Sequence, residues 1–295
     1  MEKNRIKKRE KRKDFARSLC FLSPSLLGVG VFFVLPFCVV LYYSMIDNVA
    51  THNFVFLDNF IALFQNSAFL EASKNTLHFS VLAVPLAVVL SLGLALMLEA
   101  RIPLKSHFRT FFLSPMMVPV ASVVLIWQVL FNSKGTVNEL VTLLGGQPHD
   151  WLVSNYAVYV VVLLFLWKNL GYNMILFMSA LCAIPKDIIE VADLEGAGSI
   201  YKFVHIKLRY LSPTILFVLI LSMINSFKIF REVYLLTGNY PQDKLYMLQH
   251  FMNNTFNSLD YQKLSAAAVL LALLMIVIMA ALLVAENIFG KDVES

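Results

Sequence analysis

The sequence predicts an all-α membrane protein of six transmembrane helices with both termini in the cytoplasm. Three observations predict it. Hydrophobic residues make up 59% of the 295 positions and charged residues 15%, where soluble domains carry about 25% charged residues. The mean hydropathy is +0.71. The apolar residues fall into six continuous runs, not the short alternating segments of a β-barrel. The basic residues of the connecting segments are concentrated in alternate loops.

The six runs lie at about 19–43, 76–98, 110–131, 157–184, 211–236 and 264–289. Crossing about 30 Å of hydrocarbon takes roughly 20 helical residues. Unpaired backbone groups are excluded from lipid, so each run is expected to be helical. The first run ends in the bulky Leu41-Tyr42-Tyr43 and is too long for the apolar part of a signal peptide, so it reads as a span. Pro85, Pro115 and Pro119 fall within runs and are expected to bend their helices. The segments 44–75 and 237–263 are too short for an extracytoplasmic domain and are expected to form surface helices and turns.

Loop charge sets the orientation. Residues 1–18 hold nine Lys/Arg, loop 99–109 holds Arg101, Lys105 and Arg109, loop 185–210 holds Lys186, Lys202, Lys207 and Arg209, and the last residues hold Lys291. That is 17 on one side, against four (Lys74, Lys134, Lys244 and Lys263) on the other. The division is then a basic cytoplasmic tail at 1–18, a first span at 19–43, an extracytoplasmic loop at 44–75, a five-helix core at 76–289 and a cytoplasmic tail at 290–295. A basic run of this kind also suits nucleic acid. A span follows it at once, which assigns it instead to retention beside the anionic lipid of the bilayer. No nucleic-acid partner is expected.

Chemistry-bearing clusters are missing. Cys20, Cys38 and Cys182 lie in apolar runs without disulfide or zinc spacing, and the six histidines are scattered. No GxxxxGK[ST] phosphate loop is present. No catalytic residue, metal or cofactor is expected, and the chain is not read as an enzyme.

One polar island, 185–210, stands on the cytoplasmic side. Pro185 suits a first helical turn, and Asp187 and Glu190 suit the positive end of a helix. Ile188, Ile189 and Ala192 make an apolar face. Gly196 and Gly198 permit a sharp bend, and Ser199 is placed to cap a second helix. On that helix Ile200, Phe203, Val204 and Leu208 form a stripe, as on a helix resting on a membrane surface. By periodicity alone this is equally an ordinary amphipathic loop.

The residues of the island carry a resemblance. Glu190-Val191-Ala192-Asp193-Leu194-Glu195-Gly196-Ala197, followed by Ile206-Lys207-Leu208, resembles the EAA loop of binding-protein-dependent ABC importer permeases, E-A-A-x-x-D-G-A and then I-x-L-P. Val191 stands for an Ala, Glu195 for the Asp, and Arg209 for the Pro, so the second helix is expected to run into the membrane unbroken. The similarity extends to Phe131-Asn132 with Gly135 and Asn138, and to Phe230, Tyr234, Leu236-Thr237-Gly238 and Pro241. It also covers Leu57-Asp58-Asn59-Phe60 and Asn75-Thr76. Asn239-Tyr240 departs from the family's glycine-rich pair. The amino-terminal pattern resembles the first permease of the carbohydrate class, the MalF/UgpA-like one.

The resemblance implies a type I ABC importer permease fold. It implies a second homologous permease, two cytoplasmic ATPase domains and an extracytoplasmic solute-binding protein as partners, with a sugar as substrate. Glu190, Ala192, Glu195, Gly196 and Ala197 would then couple the chain to the ATPase, Glu190 as the acidic contact and Ala192, Gly196 and Ala197 by permitting close approach.

Polar groups inside spans are costly and point to a path. Lys168, Asn169, Gly171, Tyr172 and Asn173 lie in the fourth run, and Asn225 and Lys228 in the fifth. Tyr172, Asn173 and Asn225 suit a sugar, an aromatic face for its C–H groups and amides for its hydroxyls, and Gly171 permits close backbone approach. Two readings stay open for Lys168 and Lys228: structural pairing, for instance with Glu232, or a cationic cavity for an acidic or phosphorylated sugar. Two other functions also stay open: an ABC permease for a non-sugar solute, and an ion-coupled secondary carrier. The latter calls for a lattice of buried carboxylates or broken-helix repeats, and the runs hold only Glu232, near the outer edge of the fifth, and Glu286, near the end of the sixth.

Overall fold

The computed structural model describes residues 17–99 and 105–289. Most of the basic tail, Arg101 and the 290–295 tail lie outside the described residues. Among the described residues the regular structure is helical, with one isolated antiparallel bridge between Ile46 and Phe54. The helices are α1 (Arg17–Tyr43), α2 (Asp58–Gln65), α3 (Ser67–Glu99), α4 (Lys105–Met117), α5 (Val120–Leu130) and α6 (Thr136–Leu143). They continue with α7 (Ala157–Ala183), α8 (Lys186–Leu194), α9 (Ser199–Thr237), α10 (Leu248–Asn257) and α11 (Tyr261–Phe289). Five of these are long and apolar enough to cross a membrane, and six spans result if the bent pair α4–α5 is one.

The chain divides into two units. The first holds Met1–Gln65 with Thr255–Ala272. Its helix α1 is apolar all round, and no residue of it is buried. The turn after α1 is closed by side chains: Asn59 Nδ2 donates to the carbonyls of Ser44 (3.0 Å) and Ile46 (2.9 Å). The Asp47 carboxylate accepts from the Thr51 hydroxyl and the Asn53 backbone N–H, at 2.9 and 3.0 Å. Asn59 of the Leu57-Asp58-Asn59-Phe60 pattern is thus the clasp of this turn.

The second unit holds Asn66–Asn254 with Leu273–Ser295, and α7 is its central helix. Residues on several faces of α7 are buried, including Val160, Val161, Leu164 and Phe165, as expected of a helix apolar all round. On one face Phe165 meets Phe79 of α3 edge-on, with ring centroids 5.7 Å apart. On another, Met174, Phe177 and Leu181 pack with Leu211 and Val218 of α9. On a third, Val160 and Leu164 pack with Val123, Val124 and Trp127 of α5.

The structure corrects several boundaries. The second span's helix starts at Ser67 instead of about 76, because the preceding loop residues are already helical. The run 110–131 is not one helix: α4 and α5 meet at a 100° bend. Pro119, with φ −56° and ψ 138°, stands at that break; its ring disfavours helical geometry in Val118 before it. Pro85 and Pro115, by contrast, lie inside the continuous helices α3 and α4. The island's second helix and the fifth span are a single helix, Ser199–Thr237, of 39 residues. It passes through Arg209 unbroken, as the missing proline implies, but includes a π-helical stretch at Phe203–Lys207 where the Leu208 N–H bonds the Phe203 carbonyl.

Candidate functional site

The island folds as helix, turn, helix. Pro185 stands just before α8 and not within its first turn, and Asp187 lies in that turn. Ile189 joins the cluster around Leu211, and Ala192 is buried. The end of α8 is a Schellman turn: Gly196 N–H donates to the Asp193 carbonyl (3.1 Å) and Ala197 N–H to the Ala192 carbonyl (2.9 Å). This turn needs a left-handed residue just past the helix, and Gly196 supplies it with φ +77°. Gly198 follows as the residue before α9, so Ser199 is the first helical residue and not the cap. Lys202 forms an ion pair with Asp193 across the turn, and Lys207 binds Glu99 at the end of α3 at 2.6 Å.

The outer side of this joint is open. Glu190 and Glu195 are exposed, and beside them Leu194 is 88% and Ile200 81% exposed. A Cβ placed on Gly196 or Gly198 would meet no atom within 4 Å. Of the five expected coupling residues, Glu190, Glu195 and Gly196 therefore present an outward surface. Ala192 is turned inward, where its small side chain lets α8 lie close to its own chain. Ala197 is half-buried.

The polar residues of the fourth and fifth runs meet each other along α7 and α9. Lys168 forms an ion pair with Glu232. Asn225 Nδ2 donates to Asn169 Oδ1 at 2.9 Å, and Asn173 Nδ2 to the Ser222 hydroxyl at 3.0 Å. Ser226 and Ser80 join their hydroxyls at 2.9 Å, which brings α3 into the same seam. Buried polar groups left unpaired cost several kcal/mol in lipid, and the seam pairs them. Gly171 lies where α7 crosses α4, and an added Cβ would run into the Phe112 carbonyl. The backbone it admits is that of its own chain. Tyr172 is half-buried, while Lys228 and Arg231 are exposed without an ion-pair partner among the described residues.

Several organising residues escaped the sequence reading. Ser80 and Ser222, ordinary small residues of apolar runs, are the partners that complete the seam. Asn138 was visible only as a motif letter. Its buried amide donates to the carbonyls of Asn132, Ser133 and His149 (2.7–3.1 Å), and its oxygen accepts from His149 N–H and Trp151 Nε1. Nearby Gly135 leaves no room for a side chain against the Leu130 carbonyl, 2.6 Å from where a Cβ would stand. His250 is buried with its Nδ1 accepting from Met247 N–H, and desolvation pushes its pKa down to about 4. Among the described residues no group of three His, Cys, Asp or Glu is placed to hold a metal ion.

Comparison with known proteins gives a consistent answer. Residues 84–295 match the family described as "Binding-protein-dependent transport system inner membrane component". The sn-glycerol-3-phosphate transport system permease protein UgpA of Yersinia enterocolitica serotype O:8 is 32% identical over 259 residues, 86% of this chain and 88% of that one. Its counterpart from Escherichia coli O6:K15:H31 is 30% identical over 264 residues, with the same coverage. Among solved structures, a chain of a bacterial ABC transporter involved in import of the acidic polysaccharide alginate superposes with a TM-score of 0.79 at 20% identity. The match covers 99% of this chain and 100% of that one. A second structure of the alginate transporter, in complex with alginate pentasaccharide-bound periplasmic protein, gives 0.81 at 21% identity, covering 96% and 98%. At these identities the structural likeness speaks for the fold.

Proposed function

The chain belongs to the family of binding-protein-dependent transport system inner membrane components, and from that membership we propose that it is a permease subunit of an ATP-driven importer that moves a sugar into the cytoplasm. In this reading α1, α3, the bent pair α4–α5, α7, α9 and α11 are six spans. Both termini and the island face the cytoplasm of a bacterial cell membrane, where the positive-inside bias puts them. A second homologous permease completes the path, and two ATPase domains supply the force. A solute-binding protein delivers substrate from outside.

The observation that carries the proposal is the joint between α8 and α9. A Schellman turn at Gly196 and the ion pair Asp193–Lys202 hold a rigid corner. Its outer surface presents Glu190, Glu195 and exposed Leu194. A stiff corner with acidic and apolar groups on its open side suits docking into a cleft of a cytoplasmic partner. Lys207–Glu99 then links movement of that corner to α3.

The alternative cargo is a phosphorylated polyol, favoured by the glycerol-3-phosphate named for the relatives. Reconstitution of the chain with its second permease, ATPase and binding protein in proteoliposomes tests both. ATP-dependent uptake of a labelled neutral or acidic sugar supports sugar import. Uptake of glycerol 3-phosphate alone selects the alternative. Uptake driven by an ion gradient without ATP contradicts both.

A further inference from the structure

A cleft of about 640 Å³ with charged and apolar walls opens beside the first turns of α3, outside the seam and the joint. Glu71, Lys74 and His78 line it from one face of α3, Asn155 and Tyr159 from the entry to α7, and Lys244 from the turn Asp243–Leu245. The wall that carries Lys244 is fixed in place. Asn75 Nδ2 donates to the carbonyls of Asp243 (2.6 Å) and Tyr246 (3.0 Å), and the Thr76 hydroxyl accepts from Leu248 N–H at 2.8 Å. The Asn75-Thr76 pair thus holds one side of the cleft against the other.

The lining is chemically specific. Glu71, Lys74, His78, Tyr159 and Lys244 are all exposed, and none of Glu71, Lys74 and Lys244 has an ion-pair partner among the described residues. Two ammonium groups against one carboxylate leave a positive surplus, which a concave wall concentrates. The ammonium groups suit a carboxylate or phosphate. The Tyr159 ring offers a flat apolar face, while the Asn155 amide and the Glu71 carboxylate suit hydroxyl groups. The volume falls in the range of small-molecule sites, about 300–1,000 Å³.

We propose that this cleft binds a sugar bearing an anionic group, its carboxylate or phosphate held between Lys74 and Lys244 and its ring against Tyr159. The inference rests on the sugar-import reading, whose orientation places the cleft on the extracytoplasmic side. It adds a capture site for an anionic cargo on that side.

The test is binding to the full-length chain in lipid nanodiscs, without ATPase or binding protein. The probes are D-glucuronate, D-glucose 6-phosphate and D-glucose at millimolar concentration, followed by saturation-transfer NMR and titration calorimetry. Both anions should bind about tenfold or more tightly than glucose, and added salt should weaken them. Lys74→Gln and Lys244→Gln should each weaken anion binding about tenfold, with glucose binding and thermal unfolding unchanged because both side chains are exposed. Preference for one anion over the other identifies the group, carboxylate or phosphate. Equal binding of glucose and the anions, binding unaffected by the double variant, or no binding of any probe overturns the proposal. In a separate mixture with the binding protein, a double variant that keeps anion binding and loses only docking of that protein also overturns it, since the cleft is then a protein-docking surface. Failure here with ATP-driven sugar uptake intact removes the cleft and spares the import reading; binding here without such uptake does the reverse.

Discussion

Lys168 of α7 and Glu232 of α9 form an ion pair, with 6% of the Glu232 side chain and 22% of that of Lys168 exposed. The pair satisfies the lysine within the chain. Removing one partner of such a pair leaves a buried charge uncompensated, at a cost of about 3 kcal/mol or more. Lys168→Met and Glu232→Gln should each lower the thermal unfolding temperature, and the double variant should cost less than the two singles together. Strict additivity would show that the two residues do not act as a pair.

Gly171 should tolerate no side chain. Gly171→Ala forces α7 away from the Phe112 backbone, and overpacking of this kind costs about 1–3 kcal/mol. The expected outcome is reduced thermal stability and poorer folded yield in detergent. Wild-type stability would mean that α4 and α7 do not cross there.

The two glycines of the joint should differ. Gly196→Ala puts a side chain at φ +77° and should cost about 1 kcal/mol. Gly198 has φ −67° and ψ 161° with open space around it, so Gly198→Ala should leave folding stability almost unchanged. Hydrogen exchange of the amides from Asp193 to Lys202 checks this: faster exchange in the first variant, wild-type protection in the second.

Acid should destabilise the region around His250. Its pKa is pushed down to about 4 by burial, against 6.5 for the free group. Between those values the unfolded chain binds a proton that the folded chain does not, so stability is complete above pH 6.5 and falls as pH drops toward 4. His250→Gln should flatten the dependence of unfolding temperature on pH in that window. An unchanged slope would place the titrating group elsewhere.

Legibility in the sequence followed the range of the physics. Long apolar runs announce spans because lipid leaves the backbone one solution, and α1, α3, α7, α9 and α11 each cover an expected run. The corner at Gly196 was legible too, since a glycine behind an amphipathic helix marks its end. The break at Pro119 was legible only as a bend, because its 100° angle depends on what α5 packs against. Partners distant in sequence were the hardest to read. Asn169 pairs with Asn225 and Asn173 with Ser222, and nothing local in either run selects those pairs. Residues such as Asn75, Asn59 and Asn138 stood out as motif letters, and their work as clasps on backbone carbonyls needed coordinates to see.

The central claim is that force enters this chain through the exposed corner between α8 and α9. The most direct measurement is ATP hydrolysis by the reconstituted complex carrying Glu190→Lys together with Gly196→Val, with and without loaded binding protein. The account predicts that the complex loses both the stimulation by binding protein and substrate uptake, while α7 and the part of α9 beyond Lys202 keep wild-type hydrogen-exchange protection. Full stimulation and full uptake in that variant would contradict it.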